Sequence, residues 1–278
     1  MHDAMGMKET WLRFRDSKPG AKVFGMSWRQ LHSPMLFRWG RAFQPQPCHW
    51  PDEVLERTSS LDLLGLDELR SALRSDRRVL HRTDFGAGSR VASYRAGTKR
   101  AVAHLAATSL TSQEDLEALC RWLAVLSPGG SWLELGTSLG LTSAAVAQLG
   151  WEVETWEGCP ETLAVAREVW SQTGVLDQIL ARQGDFRELI QHIQIGKQWD
   201  VVFLDGLHEE QATLDLAHAL EPYVHTCLVV DDICWSAGMH RAWRALQDRP
   251  DWRVSFSWRG RGFLLKAPHM ERQRFCLA

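Results

Sequence analysis

The sequence of 278 residues lacks several features that would assign it to a broad class at once. It has no apolar run near the roughly 18 residues that span a membrane, and its first residues lack the apolar segment of a signal peptide. The net charge of −2 gives no excess that would favour nucleic acid or an anionic membrane. The six cysteines form no C-x-x-C pair, which is typical of a reducing compartment. We therefore expect a cytoplasmic protein without a nucleic-acid or membrane partner.

Three parts of the chain differ in pattern. Residues 1–80 carry four prolines before residue 50, and eight Lys/Arg against two acids between positions 8 and 41. We expect an N-terminal arm or extension that is partly irregular. It is either a loosely attached arm with solvated charges, or a lid or a dimer contact. The last of these would make the protein a homo-oligomer. Within it, residues 66–82 have an amphipathic, helical pattern. Residues 81–127 are expected to form a helical cap, and residues 128–278 the core.

From about residue 131, strand-like and helix-like segments alternate. Such alternation predicts βαβ crossovers and a parallel sheet covered on both faces. The end of the chain departs from this pattern, because residues 254–258 and 263–266 read as a β-hairpin around a glycine-containing loop. The predicted parallel strands lie at 131–136, 151–156, 178–183, 199–205 and 224–231.

A glycine-rich turn follows the first of these strands. It contains Glu134, Gly136 and Gly140 in the pattern E-x-G-x-x-x-G, and the next strand ends at Glu157. Such a turn brings the backbone close to a nucleotide-like ligand. An acidic side chain at the end of the second strand can accept hydrogen bonds from the ribose hydroxyls of that ligand. A tight strand-to-helix turn without a ligand is the alternative.

The glycine spacing argues against a dinucleotide. The fingerprint G-x-G-x-x-G, started at Gly136, requires glycine at position 138 and glycine or alanine at position 141. The chain has Ser138 and Leu141 there. A nicotinamide-dependent oxidoreductase is therefore disfavoured.

The E-x-G-x-x-x-G pattern resembles the first motif of class I S-adenosylmethionine-dependent methyltransferases, and parallel strands closed by a hairpin are similar to the sheet of that family. The resemblance covers about residues 81–267, and the segments 81–89 and 231–243 are similar to a branch of uncharacterised bacterial members. It implies an α/β, Rossmann-like doubly wound sheet of seven strands whose last strand is antiparallel, here with a helical N-terminal extension. It also implies S-adenosylmethionine (SAM) as cofactor. Gly86–Ser89 is either a packed turn or a lid over the acceptor.

The resemblance also assigns roles to residues at the strand ends. It implies that Glu157 binds both ribose hydroxyls, that Asp185 binds the adenine amino group, and that Phe186 lies against the ring. Asp185 could equally cap the helix that follows it, and both roles are compatible. The other implied cofactor contacts are Glu134, Gly136, Thr137, Ser138, Gly140, Gly158 and Asp205.

Acids also end the fourth and fifth strands, at Asp205, Asp231 and Asp232. Because adjacent parallel strands lie about 4.8 Å apart, these three carboxylates could share one ion. Oxygen ligands select a hard divalent cation: Mg²⁺ first, with Ca²⁺ or Mn²⁺ as alternatives. The alternative is that Asp231 and Asp232 cap the helix near residue 237.

His208 follows Asp205 by three residues, in the loop that leaves the fourth strand. An imidazole there could accept the proton of a hydroxyl that a metal has acidified. Asp-x-x-His with Asp-Asp resembles metal-dependent O-methyltransferases that act on small-molecule, sugar-type hydroxyls. The catechol-type enzymes have Asp-Asn and a lysine, whereas this chain has Asp232 and no lysine between positions 198 and 265.

These observations predict a SAM-dependent methyltransferase that methylates a small-molecule hydroxyl with the help of a divalent metal, with Asp205 and His208 as catalytic residues. Two alternatives remain. One is a metal-independent methyltransferase in which His208 alone is the base and the acceptor could be an amine. The other is a non-catalytic cofactor-binding module whose basic arm docks a partner.

Overall fold

The computed structural model describes residues 2–82 and 99–278, which form twelve α-helices and ten strands. The helices, in chain order, are α1 (His2–Asp16), α2 (Lys18–Phe24), α3 (Pro34–Ala42), α4 (Asp52–Arg57), α5 (Leu63–Ser75), α6 (Val102–Thr108), α7 (Gln113–Leu126), α8 (Leu141–Gln148), α9 (Pro160–Gln172), α10 (Phe186–Gln191), α11 (Glu210–Leu220) and α12 (Ala237–Asp248). The strands are β1 (Val79–His81), β2 (Lys99–Ala101), β3 (Ser131–Leu135), β4 (Glu152–Glu157), β5 (Ile179–Gln183), β6 (Trp199–Leu204), β7 (Val224–Val230), β8 (Val254–Trp258), β9 (Arg261–Leu265) and β10 (Gln273–Leu277).

The chain divides into two compact units. Residues up to Gly40 together with Ile195–Ala278 form the first unit, and Arg41–Gln194 form the second. The division into an arm, a cap and a core stays a prediction. Among residues 2–82 and 99–278, each helix is too short or too polar to cross a lipid bilayer.

The second unit contains three parallel strands in the order β3-β4-β5. In their register, Leu133 lies opposite Glu154 and Glu154 opposite Leu180. Every residue of β3 after Ser131 is buried, as expected for a strand covered on both faces. Helix α9 begins at Pro160, whose fixed φ suits the first turn of a helix. This order brings the ends of β3 and β4 side by side.

The first unit contains five strands in the order β10-β8-β9-β7-β6. Strands β6 and β7 are parallel, β9 is antiparallel to both β7 and β8, and β10 is parallel to β8. The apolar runs that the sequence places at 201–204 and 228–230 are buried throughout. Burial on both faces explains why these strands are continuously apolar.

The predicted fold class, α/β and Rossmann-like, is confirmed, with three strands (β3–β5) in the main sheet of the second unit and five in that of the first, eight rather than seven. The predicted antiparallel strand is β9, and the additional strand is β10, which follows it in the chain. All five predicted parallel strands are present within about a residue of their predicted bounds.

The N-terminal part differs from its expectation in two places. Residues 2–42, expected to be partly irregular within a helical extension, contain three helices. The helix predicted over 66–82 is wrong at its end, because α5 stops at Ser75 and Val79–His81 pair antiparallel with Lys99–Ala101. Gly86–Ser89, predicted as a turn or a lid, lies outside the described residues.

Candidate functional site

The turn after β3 is built from residues with positive φ. Gly136 has φ 104°, Ser138 has φ 51° and Gly140 has φ 80°. Glycine adopts this region at little cost, whereas a serine there stores strain of the kind found at functional sites. Gly140 has a second constraint, because an added Cβ would lie 2.7 Å from Nε1 of Trp170. That indole nitrogen donates a hydrogen bond to the Gly140 carbonyl at 3.0 Å. The geometry therefore requires both glycines of the motif.

Glu157 fixes this turn from the neighbouring strand. Its Oε2 accepts a hydrogen bond from the Ser138 backbone N–H at 3.0 Å, and its Oε1 accepts one from the Cys159 N–H at 2.9 Å. Burial raises the pKa of this carboxyl, and the backbone donors and the charge of Arg82 oppose the rise. Each carboxylate oxygen keeps a second lone pair. Glu157 is therefore held by two loops and can still accept hydroxyl donors.

Glu134 lies beneath the turn and is only 1% exposed. Its Oε2 accepts a hydrogen bond from Thr155 Oγ1 at 2.7 Å, and Thr155 Oγ1 lies 2.6 Å from Thr137 Oγ1. Burial raises the pKa of Glu134 to about 8. The carboxyl therefore supports the turn through two hydroxyl groups, and a direct contact with a ligand stays a prediction.

The raised pKa of Glu134 predicts a pH-dependent stability. The folded protein favours the protonated carboxyl of Glu134. The contribution of this group to the free energy of unfolding is therefore complete below its ordinary pKa of about 4.3. It is lost as the pH rises through about 8. As the pH rises from 5 to 9, we expect the thermal unfolding midpoint of the wild type to decrease relative to that of Glu134→Gln. Glu152→Gln, an exposed change on β4, is the control. A wild-type-minus-variant difference that is constant over this range would contradict the prediction.

Asp185 and Phe186 lie at the start of α10. Asp185 is the N-cap of this helix, because its Oδ1 accepts a hydrogen bond from the Arg187 backbone N–H at 2.8 Å. The Arg187 side chain also donates to its Oδ2 at 2.5 Å and lowers the pKa of the carboxyl. Phe186 and Gly158 are half-buried. The capping role of Asp185 is therefore present, and its adenine contact stays a prediction.

In the first unit, the loops after β6 and β7 bring three of the predicted residues together. Nε2 of His208 lies 3.9 Å from Oδ1 of Asp205 and 4.0 Å from Oδ2 of Asp232. These separations are too long for hydrogen bonds. The two loops therefore place the imidazole within 4.0 Å of two carboxylates.

Both loops carry strain next to this histidine. Leu207 has φ 53° and Asp232 has φ 54°, a left-handed region that non-glycine residues seldom adopt. The ring of His208 lies 5.9 Å from that of Trp235, centroid to centroid. Strain of this kind costs about 1–3 kcal/mol per residue and persists where the surroundings impose it. The structure therefore holds a half-buried imidazole beside two carboxylates and an indole.

Asp231 has a different partner. Its Oδ2 accepts a hydrogen bond from Nη2 of Arg261 at 2.5 Å, and its Oδ1 accepts one from the Asp232 backbone N–H at 2.9 Å. Arg261 is 5% exposed, and its guanidinium carbon lies 5.2 Å from the ring centroid of Phe203. The register of β7 and β9 explains the pair, because Gly262 lies opposite Val230.

The metal ligands predicted at Asp205, Asp231 and Asp232 do not fit a divalent ion in this arrangement. A cation on Asp231 would lie beside the buried guanidinium of Arg261, where like charges repel strongly. In the part of the chain that the structure describes, no three His, Cys, Asp or Glu side chains are grouped to hold a metal ion. Arg261 supplies the positive charge that the sequence analysis assigned to a metal.

Neither Arg261 nor Thr155 stands out from the sequence alone. The signal for Arg261 is the segment Arg259-Gly-Arg-Gly262, which by itself indicates only a hairpin loop. Thr155 occupies an inward position of β4 and looks like an ordinary strand residue. Both act through neighbouring strands, so their partners cannot be found from local spacing.

Residues 133–233 match a family model described as a methyltransferase domain. This segment contains the turn, Glu157, Asp205, His208 and Asp231. The match confirms the methyltransferase resemblance seen in the sequence. No curated protein matches the chain.

Several solved structures are similar to this chain. Cofactor-bound Rv0187 from MTB has 18% identity and a TM-score of 0.51, over 80% of this chain and 98% of that one. The O-methyltransferase TomG from Streptomyces achromogenes, involved in tomaymycin synthesis and solved with SAM, has 18% identity and a TM-score of 0.48, over 58% and 83%. The O-methyltransferase from Bacillus cereus, solved with SAH, has 17% identity and a TM-score of 0.45, over 52% and 78%. The likeness to Rv0187 concerns the fold alone.

Proposed function

We propose that the chain is a SAM-dependent methyltransferase that methylates a hydroxyl group of a small molecule, with His208 as general base. The observation that carries the cofactor assignment is Glu157, a buried carboxylate fixed by the backbone N–H groups of Ser138 and Cys159. It lies beside a turn with positive φ at Gly136 and Gly140, in a segment that matches a methyltransferase domain.

The residues of the second unit fit the parts of this cofactor. Glu157 would accept the two ribose hydroxyls, and the turn lacks side chains at the two positions where the ligand would approach the backbone. Asp185 and Phe186 would contact the adenine. When bound, SAM supplies a methyl group on a positively charged sulfur.

The residues of the first unit fit the acceptor chemistry. Nε2 of His208 would take the proton of the hydroxyl as its oxygen forms the bond to the methyl carbon and the carbon–sulfur bond breaks. The imidazolium that results is stabilised by Asp205 and Asp232, about 4 Å away. The strained loops hold the imidazole in place, and such positioning contributes much of the rate of a transfer reaction.

This proposal needs no metal ion, because Arg261 neutralises Asp231. We expect turnover to be the same in excess EDTA as in excess MgCl₂, and we expect calorimetry to detect no Mg²⁺ binding to the purified chain. Loss of turnover in EDTA that MgCl₂ restores would favour the metal-assisted mechanism predicted from the sequence instead.

Formation of S-adenosylhomocysteine (SAH) with panels of hydroxyl and amine acceptors tests the function itself. The proposal expects SAH only with hydroxyl acceptors. Products from amines alone would favour the amine-methylating alternative. SAM binding without SAH from either panel would favour a non-catalytic cofactor-binding module.

A further inference from the structure

Helix α1 has no part in the proposed chemistry, yet its last residue is anchored deep in the first unit. Asp16 is fully buried, and its carboxylate accepts a hydrogen bond from Ser257 Oγ at 3.1 Å. Nε2 of His240 lies 3.1 Å from the other oxygen. The Asp16 carbonyl accepts the backbone N–H of Gly260 at 3.1 Å. Helix α1 is therefore fixed to β8, α12 and the β8–β9 turn rather than loosely attached.

One turn before this anchor, Arg13 reaches the loop that follows β7. Its Nε donates to the Cys234 carbonyl at 3.1 Å and its Nη2 to the Trp235 carbonyl at 3.4 Å. The Cys234 thiol donates in return to the Arg13 carbonyl at 3.3 Å. Burial raises the pKa of this thiol to about 12, so it stays protonated and remains a donor. The contact between helix and loop is therefore reciprocal.

The same loop carries the residues beside His208. Its Trp235 N–H donates to the Asp232 carbonyl at 2.8 Å, which closes a turn around the strained residue. The Ile233 N–H donates to the Gly260 carbonyl at 3.0 Å, and Gly260 is also bound to Asp16. The Trp235 ring lies 5.9 Å from the His208 ring. Arg13 and Asp16 thus hold the loop at two separate points.

We propose that Arg13 is a positioning residue for methyl transfer, which it serves by fixing the Asp231–Trp235 loop beside His208. This inference rests on the proposed function and gives the N-terminal helix a role in it. Two adjacent carbonyls suit the fork of a guanidinium, which donates along two directions from one plane, whereas an ammonium is a point charge on a flexible stem. Arg13 contacts neither reacting group, so its effect passes through the loop.

Hydrogen–deuterium exchange of the full-length chain tests this role without needing an acceptor. We expect the amides of residues 232–236 to exchange faster in Arg13→Met than in the wild type, with Arg13→Lys between the two. Lys22→Ala, an exposed change on α2, is the matched control and should exchange like the wild type. Where Arg13→Met fails to fold, Arg13→Lys carries the same comparison, because it keeps the charge and a donor.

Kinetics separate positioning from general stability. We expect Arg13→Met to lower kcat on the order of 10- to 100-fold, while the Kd for SAM stays at the wild-type value. Arg13→Lys should recover part of this loss. An equal loss of SAM binding would indicate a structural defect and overturn the role.

The two proposals fail separately. Unchanged exchange of residues 232–236 in both Arg13 variants overturns the positioning role, whatever the turnover. Faster exchange in Arg13→Met, with no SAH formed by the wild type from any acceptor, overturns the proposed function and leaves Arg13 as a support of the loop alone.

Discussion

Replacing Glu157 with alanine is expected to weaken SAM binding about 100- to 10,000-fold. Two hydrogen bonds from ribose hydroxyls to a carboxylate contribute roughly 1.5–3 kcal/mol each, and every 1.4 kcal/mol is a factor of ten in Kd. The same change removes the acceptor of the Ser138 and Cys159 N–H groups, so the turn also loses its support. Titration calorimetry with SAM and with SAH measures the effect.

Two variants make this prediction specific. Glu157→Gln keeps the shape and one acceptor oxygen, so its Kd should lie between those of the wild type and the alanine variant. Glu152→Ala, an exposed change at the start of the same strand, should bind SAM like the wild type. Wild-type affinity in Glu157→Ala would show that the cofactor binds elsewhere.

Replacing His208 with asparagine is expected to lower kcat about 100- to 10,000-fold, the usual contribution of a positioned general base. Asparagine keeps a polar side chain beside Asp205 and Asp232 but cannot take up the proton of the acceptor. The Kd for SAM should not change, because Glu157 and the turn at 136–140, which would hold the cofactor, lie in the second unit. Single-turnover formation of SAH measures the chemical step.

The control for this variant is His218→Asn, an exposed histidine of α11. Its kcat should equal that of the wild type. A His208→Asn enzyme with wild-type kcat would exclude this imidazole as the base.

The sheets could be predicted from sequence because their signals are local. The apolar runs at 201–204 and 228–230 are nearly unbroken, and an unbroken run of this length indicates a strand buried on both faces. The N-terminal helices are harder to predict from the sequence. Pro19 and Pro34 indicate irregular chain when read as helix breakers, but they lie in the first turns of α2 and α3, where proline is favoured.

Strand β1 shows a different limit. Residues 66–82 continue one amphipathic pattern, and only pairing with Lys99–Ala101 turns Val79–His81 into a strand. A strand of three residues has too few positions for its period to be read. Strand β10 has five residues, but only its pairing with β8 identifies it as part of the sheet.

The candidate site divides in the same way. The turn and Glu157 belong to a motif within one βαβ unit, so their spacing along the chain already places them together. The pair of Asp231 and Arg261 depends on the register of β7 with β9, and the contact of Arg13 with the Cys234 carbonyl joins residues 221 positions apart. The acids at the strand ends can be found in the sequence, and they predict a metal. The pairing of Asp231 with Arg261 depends on strand register and cannot be found there.

The most direct test of the cofactor assignment compares two nucleotides on the wild-type chain in EDTA. Calorimetric titration with SAM should give saturable binding of one molecule per chain, and titration with NAD⁺ should give none, because Ser138 and Leu141 replace the glycine and small residue that a pyrophosphate needs. Binding of NAD⁺ without binding of SAM would contradict the account.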